Sequence, residues 1–219
     1  MIHFTIPDSV LKSAALFTMT AHEGARDGRG SYLQQVCITS IDGTLYVVGT
    51  NGNSLACFSD YRQNLVGSSD FEILLPVVVI KTVRSTKATA HADWTFHVEP
   101  AVRDPKTKRV TQPAEITIDL PNGNLDMIVA STDKYPDFRR VIPESNPVSG
   151  EHAVFDHRQL NKFVEVQKIL EVPDKLLGVL DYRHQGFNST RVGILVEPPK
   201  GWEFIGVIMP FKLGGTTGY

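Results

Sequence analysis

The residues of this chain that could do chemistry are seven histidines, two cysteines and a set of lysines and arginines gathered in three segments. The histidines and cysteines lack the spacing that nucleophilic or metal chemistry needs. There is no GxSxG, GxxxxGK[ST], HExxH or CxxC pattern. Gly28-Arg29-Gly30 lacks the strand, turn and helix that would make it a phosphate cradle. His91 and His97 bracket an expected strand start, and His152 and His157 flank an expected helix. They suit surface or satisfied core positions, and Cys37 and Cys57 suit small buried hydrophobes. No catalytic group, cofactor or metal is therefore expected. The cations differ. Lys12, Lys81, Arg84, Lys87, Arg158, Lys162 and Lys168 fall in helical segments at about 7–22, 75–90 and 155–172. Within these segments the acids are Asp8, Asp156, Glu165 and Glu171, four against seven bases. Ammonium and guanidinium groups concentrated on helices suit phosphate neutralisation; they also suit a solvated helix face.

The elements that must position these cations follow a repeat. FTIPDSVLKSAALF from Phe4, EILLPVVVIKTVRS from Glu72 and HAVFDHRQLNKFVEV from His152 open alike. Each has an extended apolar pair, then Pro or Asp at a helix start, then helical spacing. After each, the hydrophobic period changes to two, with turn residues between short runs. SYLQQVCITS, TLYVVGT and SLACFSDY are separated by Asp42-Gly43 and Asn51-Gly52, pairs that favour hairpins because such turns need positive φ. DWTFHVEP, EITIDL and NLDMIVAST follow the second helix; LLGVLDY, TRVGILVEP and WEFIGVIMP follow the third. The unit is a helix plus an antiparallel meander, repeated three times at about 70 to 80 residues. Hairpins rather than helical crossovers join the strands, so the fold class is α+β. The Pro, Ser, Asn and Gly of Val141 to Glu151 make the best linker, dividing a two-unit domain at 1–144 from a one-unit domain at 150–219.

Composition narrows the class. With 219 residues the chain can bury a sizeable core. Its apolar runs are far shorter than the roughly 20 residues of a membrane span. The start MIHFTIPDSVLKSAALF lacks the pattern of a secretory signal, and two cysteines make no disulfide framework, so a reducing cytoplasm is expected. A net charge of −2 argues at first against nucleic acid. The distribution removes the objection: the helices carry an excess of three positive charges and the rest an excess of five negative. Positive charge gathered on the helices leaves phosphate binding open despite the acidic total.

Three stretches, DGTLYVVGTNGNSLACFS, KYPDFRRVIPES and GVIMPFKL, occur in this order. Together they resemble the bacterial sliding clamp, the beta subunit of DNA polymerase III, in a shortened version. The resemblance covers most of the chain: residues 1–144 resemble the clamp's middle domain and 150–219 the second half of its last. It implies a ring with sheets outside and helices lining the hole, a processivity factor that encircles duplex DNA and tethers a polymerase, and no enzymatic activity. The seven cations would then meet phosphates without reading sequence. The loop bearing Arg103, Lys106, Lys108 and Arg109 could add contacts or remain solvated. A partner-peptide cleft would use Tyr32 and Leu33 from the first strand and Thr50, Gly52 and Leu55 from the GTNGNSLA turn. Pro136, Arg140 and Val141 from YPDFRRV, and Val207, Met209 and Pro210 from GVIMP, would complete it. Such walls suit a short peptide anchored by Leu or Phe. The chain departs from the family pattern at Asn51, where Asp is usual, at Asn53-Ser54, and in its GGTTGY ending. Partners implied are double-stranded DNA and a polymerase and other motif-bearing proteins, with a clamp loader left open. A family ring holds twelve such units, so three per chain imply a homotetramer. A non-encircling adaptor or decoy that only captures clamp-binding peptides is the competing reading.

Overall fold

The structure is a computed structural model that describes residues 1–20, 31–63, 65, 71–83, 92–99, 102–103, 106, 110–112, 114–120, 123–129, 135–142, 155–185, 189–194 and 198–209. The first unit is β1 (Ile2–Pro7), α1 (Asp8–Ala15), β2 (Gln35–Ile41), β3 (Thr44–Thr50) and β4 (Ser54–Asp60). The second is β5 (Phe71–Pro76), α2 (Val77–Thr82), β6 (Asp93–Glu99), the short strands β7 (Val102–Arg103) and β8 (Val110–Gln112), then β9 (Ala114–Leu120) and β10 (Gly123–Val129). The third is α3 (His157–Ile169), β11 (Leu180–Gln185), β12 (Ser189–Ile194) and β13 (Glu203–Ile208).

The first two units are interlocked. β1 leads the first unit yet pairs with β6 of the second, while β5 leads the second and pairs with β2 of the first. The sheets that result are β1-β6-β9-β10 and β11-β12-β13-β4-β3-β2-β5, with every pairing antiparallel. Alternation explains how they face. Phe4 and Ile6 of β1 and Trp94, Phe96 and Val98 of β6 point into one core, while His3, Thr5 and His97 point away from it. Phe4 stacks on Phe96 at 5.1 Å and on Phe71 at 5.3 Å, so one ring touches strands of both sheets. Trp94, fully buried, donates its indole N–H to Asp8 at the start of α1. The free edge of β1 is covered by Gln63, whose side-chain amide exchanges hydrogen bonds with the Thr5 backbone as a neighbouring strand would.

The third unit joins by its last strand: β13 pairs with β4, Val207 opposite Leu55 and Ile205 opposite Cys57, so one seven-stranded sheet runs through the first and third units. The expected linker lies outside the described residues beyond Ile142.

Several expectations need correction. Tyr32 and Leu33 are in a 3-10 helix, Ser31–Gln34, rather than in the strand that follows it. The first helix ends at Ala15 instead of 22, because the chain tightens into turns (Phe17 N–H to Ala14 O, Thr18 N–H to Ala15 O) and Met19 N–H is captured by Leu33 O. The second ends at Thr82, where Val83 turns extended. The strand start expected between His91 and His97 is that of β6 at Asp93, as read. Asp42 and Gly43 both take positive φ, but at the second Asn-Gly turn only Gly52 does; Asn51 instead folds its side chain back on the turn. Of the expected loop of Arg103 to Arg109, Arg103 is in β7, Lys106 is exposed at a turn between β7 and β8, and Lys108 and Arg109 lie outside the described residues.

Candidate peptide cleft and cationic helices

Strands β2 to β5 and the end of β13 are buried on both faces of the seven-stranded sheet, and the second face makes the cleft. Cys37, Val48, Leu55, Cys57, Leu74 and Val207 point away from the main core and are covered by Tyr135 and Phe138. That is why LYVVGT and SLACFS are nearly continuous in apolar residues instead of alternating. Tyr135 is buried, its hydroxyl donating to Val48 O at 3.4 Å and its backbone N–H to the Glu72 carboxylate at 3.1 Å. Burial pushes its phenol well above the ordinary range. The same cause raises the Cys37 thiol and takes Cys57 up to about 12, so both stay protonated and act as packing.

Where this covering segment stops short of the sheet end, a cavity of about 250 Å³ opens. Its lining includes Tyr32, Leu33, Thr50, Gly52 and Leu55, together with Pro136, Val141, Val207 and Met209. Nine of the eleven residues expected in a cleft thus surround one apolar cavity, although they come from four separate stretches of chain. Arg140 is exposed beside it, its guanidinium 3.6 Å from Asp137, and does not line it. Pro210 lies outside the described residues. Asp137 also binds Arg139, and that hydrogen bond, with the charge of both arginines, holds its carboxyl below the usual range.

Asn53 and Ser54, singled out as departures from the family pattern, also line the cavity, as do Tyr135, Asp137 and Phe138, which sequence reasoning missed. All five lie inside the two motifs already singled out, so the signal was adjacent. It also missed Gln159 on α3, for which no local signal exists. Its Oε1 accepts from Asn51 Nδ2 at 3.1 Å and from Ser54 Oγ at 2.8 Å. Asn51 Oδ1 in turn accepts the backbone N–H of Asn53 and Ser54, both at 2.9 Å. Thr50 Oγ1 donates to Ser54 O, and Met209 N–H donates to Asn53 O. The turn forming one rim is therefore tied to α3 on one side and to the end of β13 on the other.

The candidate DNA-facing cations lie on helices that form one layer, α1 packing against both α2 and α3. Lys12 binds the buried Asp8 at 2.7 Å. Arg158 makes a bidentate pair with Asp156, and Lys168 meets Glu165 at 2.7 Å. Lys162 lies 5.8 Å over the Phe17 ring. Lys81 is exposed on α2, and Arg84 and Lys87 lie outside the described residues. Of the five described candidates, three are paired with a carboxylate on their own helix or at its cap. The pairs of Arg158 and Lys168 lie at the surface and are worth about 1 kcal/mol or less, so an approaching phosphate can exchange with the carboxylate there, whereas Lys12 is held to a buried one. Among the described residues no group of three His, Cys, Asp or Glu is placed to hold a metal, and no helix is long and apolar enough to cross a membrane.

No protein-family model matches the chain, and no curated protein does. Solved structures do. The DNA polymerase sliding clamp of Pseudomonas aeruginosa, crystallised with a ligand, superposes with a TM-score of 0.56 at 15% identity, over 97% of this chain and 67% of that one. The clamp of Caulobacter crescentus gives 0.57 at 16% identity over 96% and 65%. DNA polymerase III subunit beta of Borrelia burgdorferi, in complex with a natural product, gives 0.55 at 12% over 98% and 65%. This chain therefore spans about two thirds of the length of those clamps. With its interlocked helix-plus-meander units and a sheet continued from one unit into another, the chain has the fold of the bacterial DNA polymerase III beta sliding clamps.

Proposed function

We propose that this chain is a DNA sliding clamp: several copies close into a ring around duplex DNA, and the apolar cleft holds a short peptide of a polymerase or another replication partner. The observation that carries this reading is the cavity. Nine residues chosen for a peptide cleft, seven from three sequence motifs and two from the stretch SYLQQ, surround one pocket, open to solvent and lined mainly by apolar groups with a Met at its mouth. Leu or Phe side chains of an extended peptide fit such a pocket. The layer of helices bearing Lys12, Lys81, Arg158, Lys162 and Lys168 would face the DNA, touching phosphates alone so that the ring can slide.

Assembly follows from the unit count. Three units per chain divide a ring of twelve into four copies. The edges of β10 and β11 have no strand neighbour among the described residues, and each offers a row of backbone donors and acceptors to another copy. In β2 and β6 the corresponding positions are filled by β5 and β1, the strands exchanged between units. A second copy supplies the missing half of the last domain in the same way.

The test is retention on DNA. The assembled protein should stay on a nicked circular plasmid and be lost when the plasmid is linearised, and its native mass should be that of four chains. Equal loss from both DNAs, or a monomer at micromolar concentration, would sink the ring. The pairing of Lys12, Arg158 and Lys168 with carboxylates favours one other reading, an adaptor that binds clamp-binding peptides without encircling DNA. That reading expects peptide binding with no retention on circles. It also expects no effect of changing Lys81 and Lys162 together to Ala, whereas the ring expects retention to weaken and its salt dependence to flatten.

A further inference from the structure

We infer that Gln159 is a positioning residue of the peptide cleft, a lock by which α3 sets the shape of the rim formed by Thr50 to Leu55. The inference rests on the cleft reading and goes beyond it, since Gln159 lines no part of the cavity and belongs to a different unit, over 100 positions along the chain.

The hydrogen-bond directions are fixed by chemistry. Asn51 Oδ1 is occupied by two backbone N–H donors, from Asn53 and Ser54. Its Nδ2 must then be the atom facing Gln159, and a donor there requires Oε1, not Nε2, in return. Ser54 Oγ donates to the same oxygen at 2.8 Å. Asn51 and Ser54 are both buried, so neither donor can turn to water if the acceptor is lost, and Ser54 Oγ is left only its longer 3.3 Å contact with Asn51 Oδ1. One carbonyl oxygen on α3 thus satisfies two buried donors of a turn whose next residues, Gly52 to Leu55, form the wall of the cavity. The opposite anchor of the turn is Met209 N–H on Asn53 O, at the end of β13. With both anchors made, the rim is held before any peptide arrives, which lowers the ordering cost of binding. Arg158 and Lys162 flank Gln159 on the same helix, so any displacement of α3 is transmitted to the cleft through this bond.

The chemistry of the lock predicts an unusual mutational pattern. Only an acceptor is needed at 159. Gln159→Glu presents carboxylate oxygens to both donors and keeps the lock; Gln159→Ala removes it. Asn51→Asp keeps the two backbone acceptances and is tolerated because the Gln159 amide can rotate to donate Nε2. Asn51→Asp together with Gln159→Glu places two carboxylates about 3 Å apart with no proton between them, and the lock fails.

The experiment is fluorescence anisotropy of the full chain with a fluorescein-labelled hexapeptide ending Leu-Ser-Leu-Phe, with a thermal melt of every variant to confirm folding. Expected are a loss of about tenfold for Gln159→Ala, mostly in dissociation rate, and changes within about twofold for Gln159→Glu and Asn51→Asp. The double variant should lose about tenfold or more, far beyond the product of the two single effects. Wild-type affinity in a folded Gln159→Ala variant, or a double variant equal to that product, would overturn the inference while leaving the cleft standing. If the wild-type chain fails to bind the peptide, and Leu55→Arg changes nothing, the cleft reading falls and the inference with it.

Discussion

The helices α1 and α3 occupy equivalent places in their units and are held in opposite ways. Seven of the eight residues of α1 are buried, including Asp8, Ser9 and Ser13, and its N-terminus has no side-chain cap, only Pro7. In α3, longer by more than a turn, only Phe163, Val166 and Gln167 are buried. It carries its own supports: Asp156 caps it, Gln167 bonds both Val179 O and Gly178 N–H, and Lys168 meets Glu165. A helix clasped between two interlocked units is fixed by packing and can dispense with local devices. A helix whose unit has no exchanged partner must supply its own. The interlocked pair is thus held by packing between its units, and the third unit by supports along its own helix.

The largest effect should come from the clasp. Trp94 is fully buried between the units and holds Asp8. Trp94→Ala should cost about 4 kcal/mol, seen as a lowered midpoint in urea for the whole described fold. If only the second unit loosened while the first kept its midpoint, the two would not be interlocked as one cooperative body.

Phe163→Ala is the matching change on α3. Phe163 is fully buried against Phe17 at 4.8 Å and contacts Phe204. Truncation should cost about 3 kcal/mol, but the loss should be local: faster hydrogen exchange in α3 and β11, with the amides of β1, β6 and β9 unchanged. Uniform acceleration across all strands would erase the distinction between the clasped and the self-supported helix.

A smaller effect follows at the contact that lets α1 lie so close to the sheet. A Cβ added at Gly49 of β3 would come within 1.9 Å of Ala14 O, a backbone atom that cannot swing aside. Gly49→Ala should therefore destabilise by about 2 kcal/mol despite Ala's better strand propensity, measured in the same urea titration. A neutral result would mean that α1 can lift off the sheet, as α3 is expected to do.

How far this was legible in the sequence also divides along the same line. Strands with strict alternation or firm turns were placed within a residue or two: β3 after Asp42-Gly43, β6 in DWTFHVEP, β13 in WEFIGVIMP. Helix starts were legible too, since Pro7, Pro76 and Asp156 stand immediately before the first helical residues. Helix ends were not. Where α1 stops is decided by Leu33 O capturing Met19 N–H, a partner 14 residues away. The exchange of β1 and β5 was invisible as well, because both strands read as apolar and extended whichever sheet they join. In the cleft, residues from motifs came together as expected, while Gln159 was missed because its role depends on a contact across units that no local pattern records.

The smallest effect is the one that belongs to α3 alone. Asp156 caps the helix by accepting the Arg158 N–H at 2.9 Å and also takes the Arg158 guanidinium. These hydrogen bonds pull its carboxyl from the ordinary 3.8 to about 2. A folded-state value below the unfolded one stabilises the fold fully above pH 4, and that contribution is lost as pH falls from about 4 to 2. The carboxylate lies near the surface, so the cap itself sets the scale: Asp156→Ala should cost about 1 kcal/mol at pH 7. Asp156→Asn keeps an acceptor for the Arg158 N–H and should cost only a few tenths of a kcal/mol, while removing the titrating group. Stability measured between pH 5 and pH 2.5 should then fall less steeply in Asp156→Asn than in the wild-type chain. Because α1 has no side-chain cap, no substitution at its N-cap Pro7 by another uncharged residue should alter that slope. An unchanged slope in Asp156→Asn would show that α3, like α1, is held by packing and not by its cap.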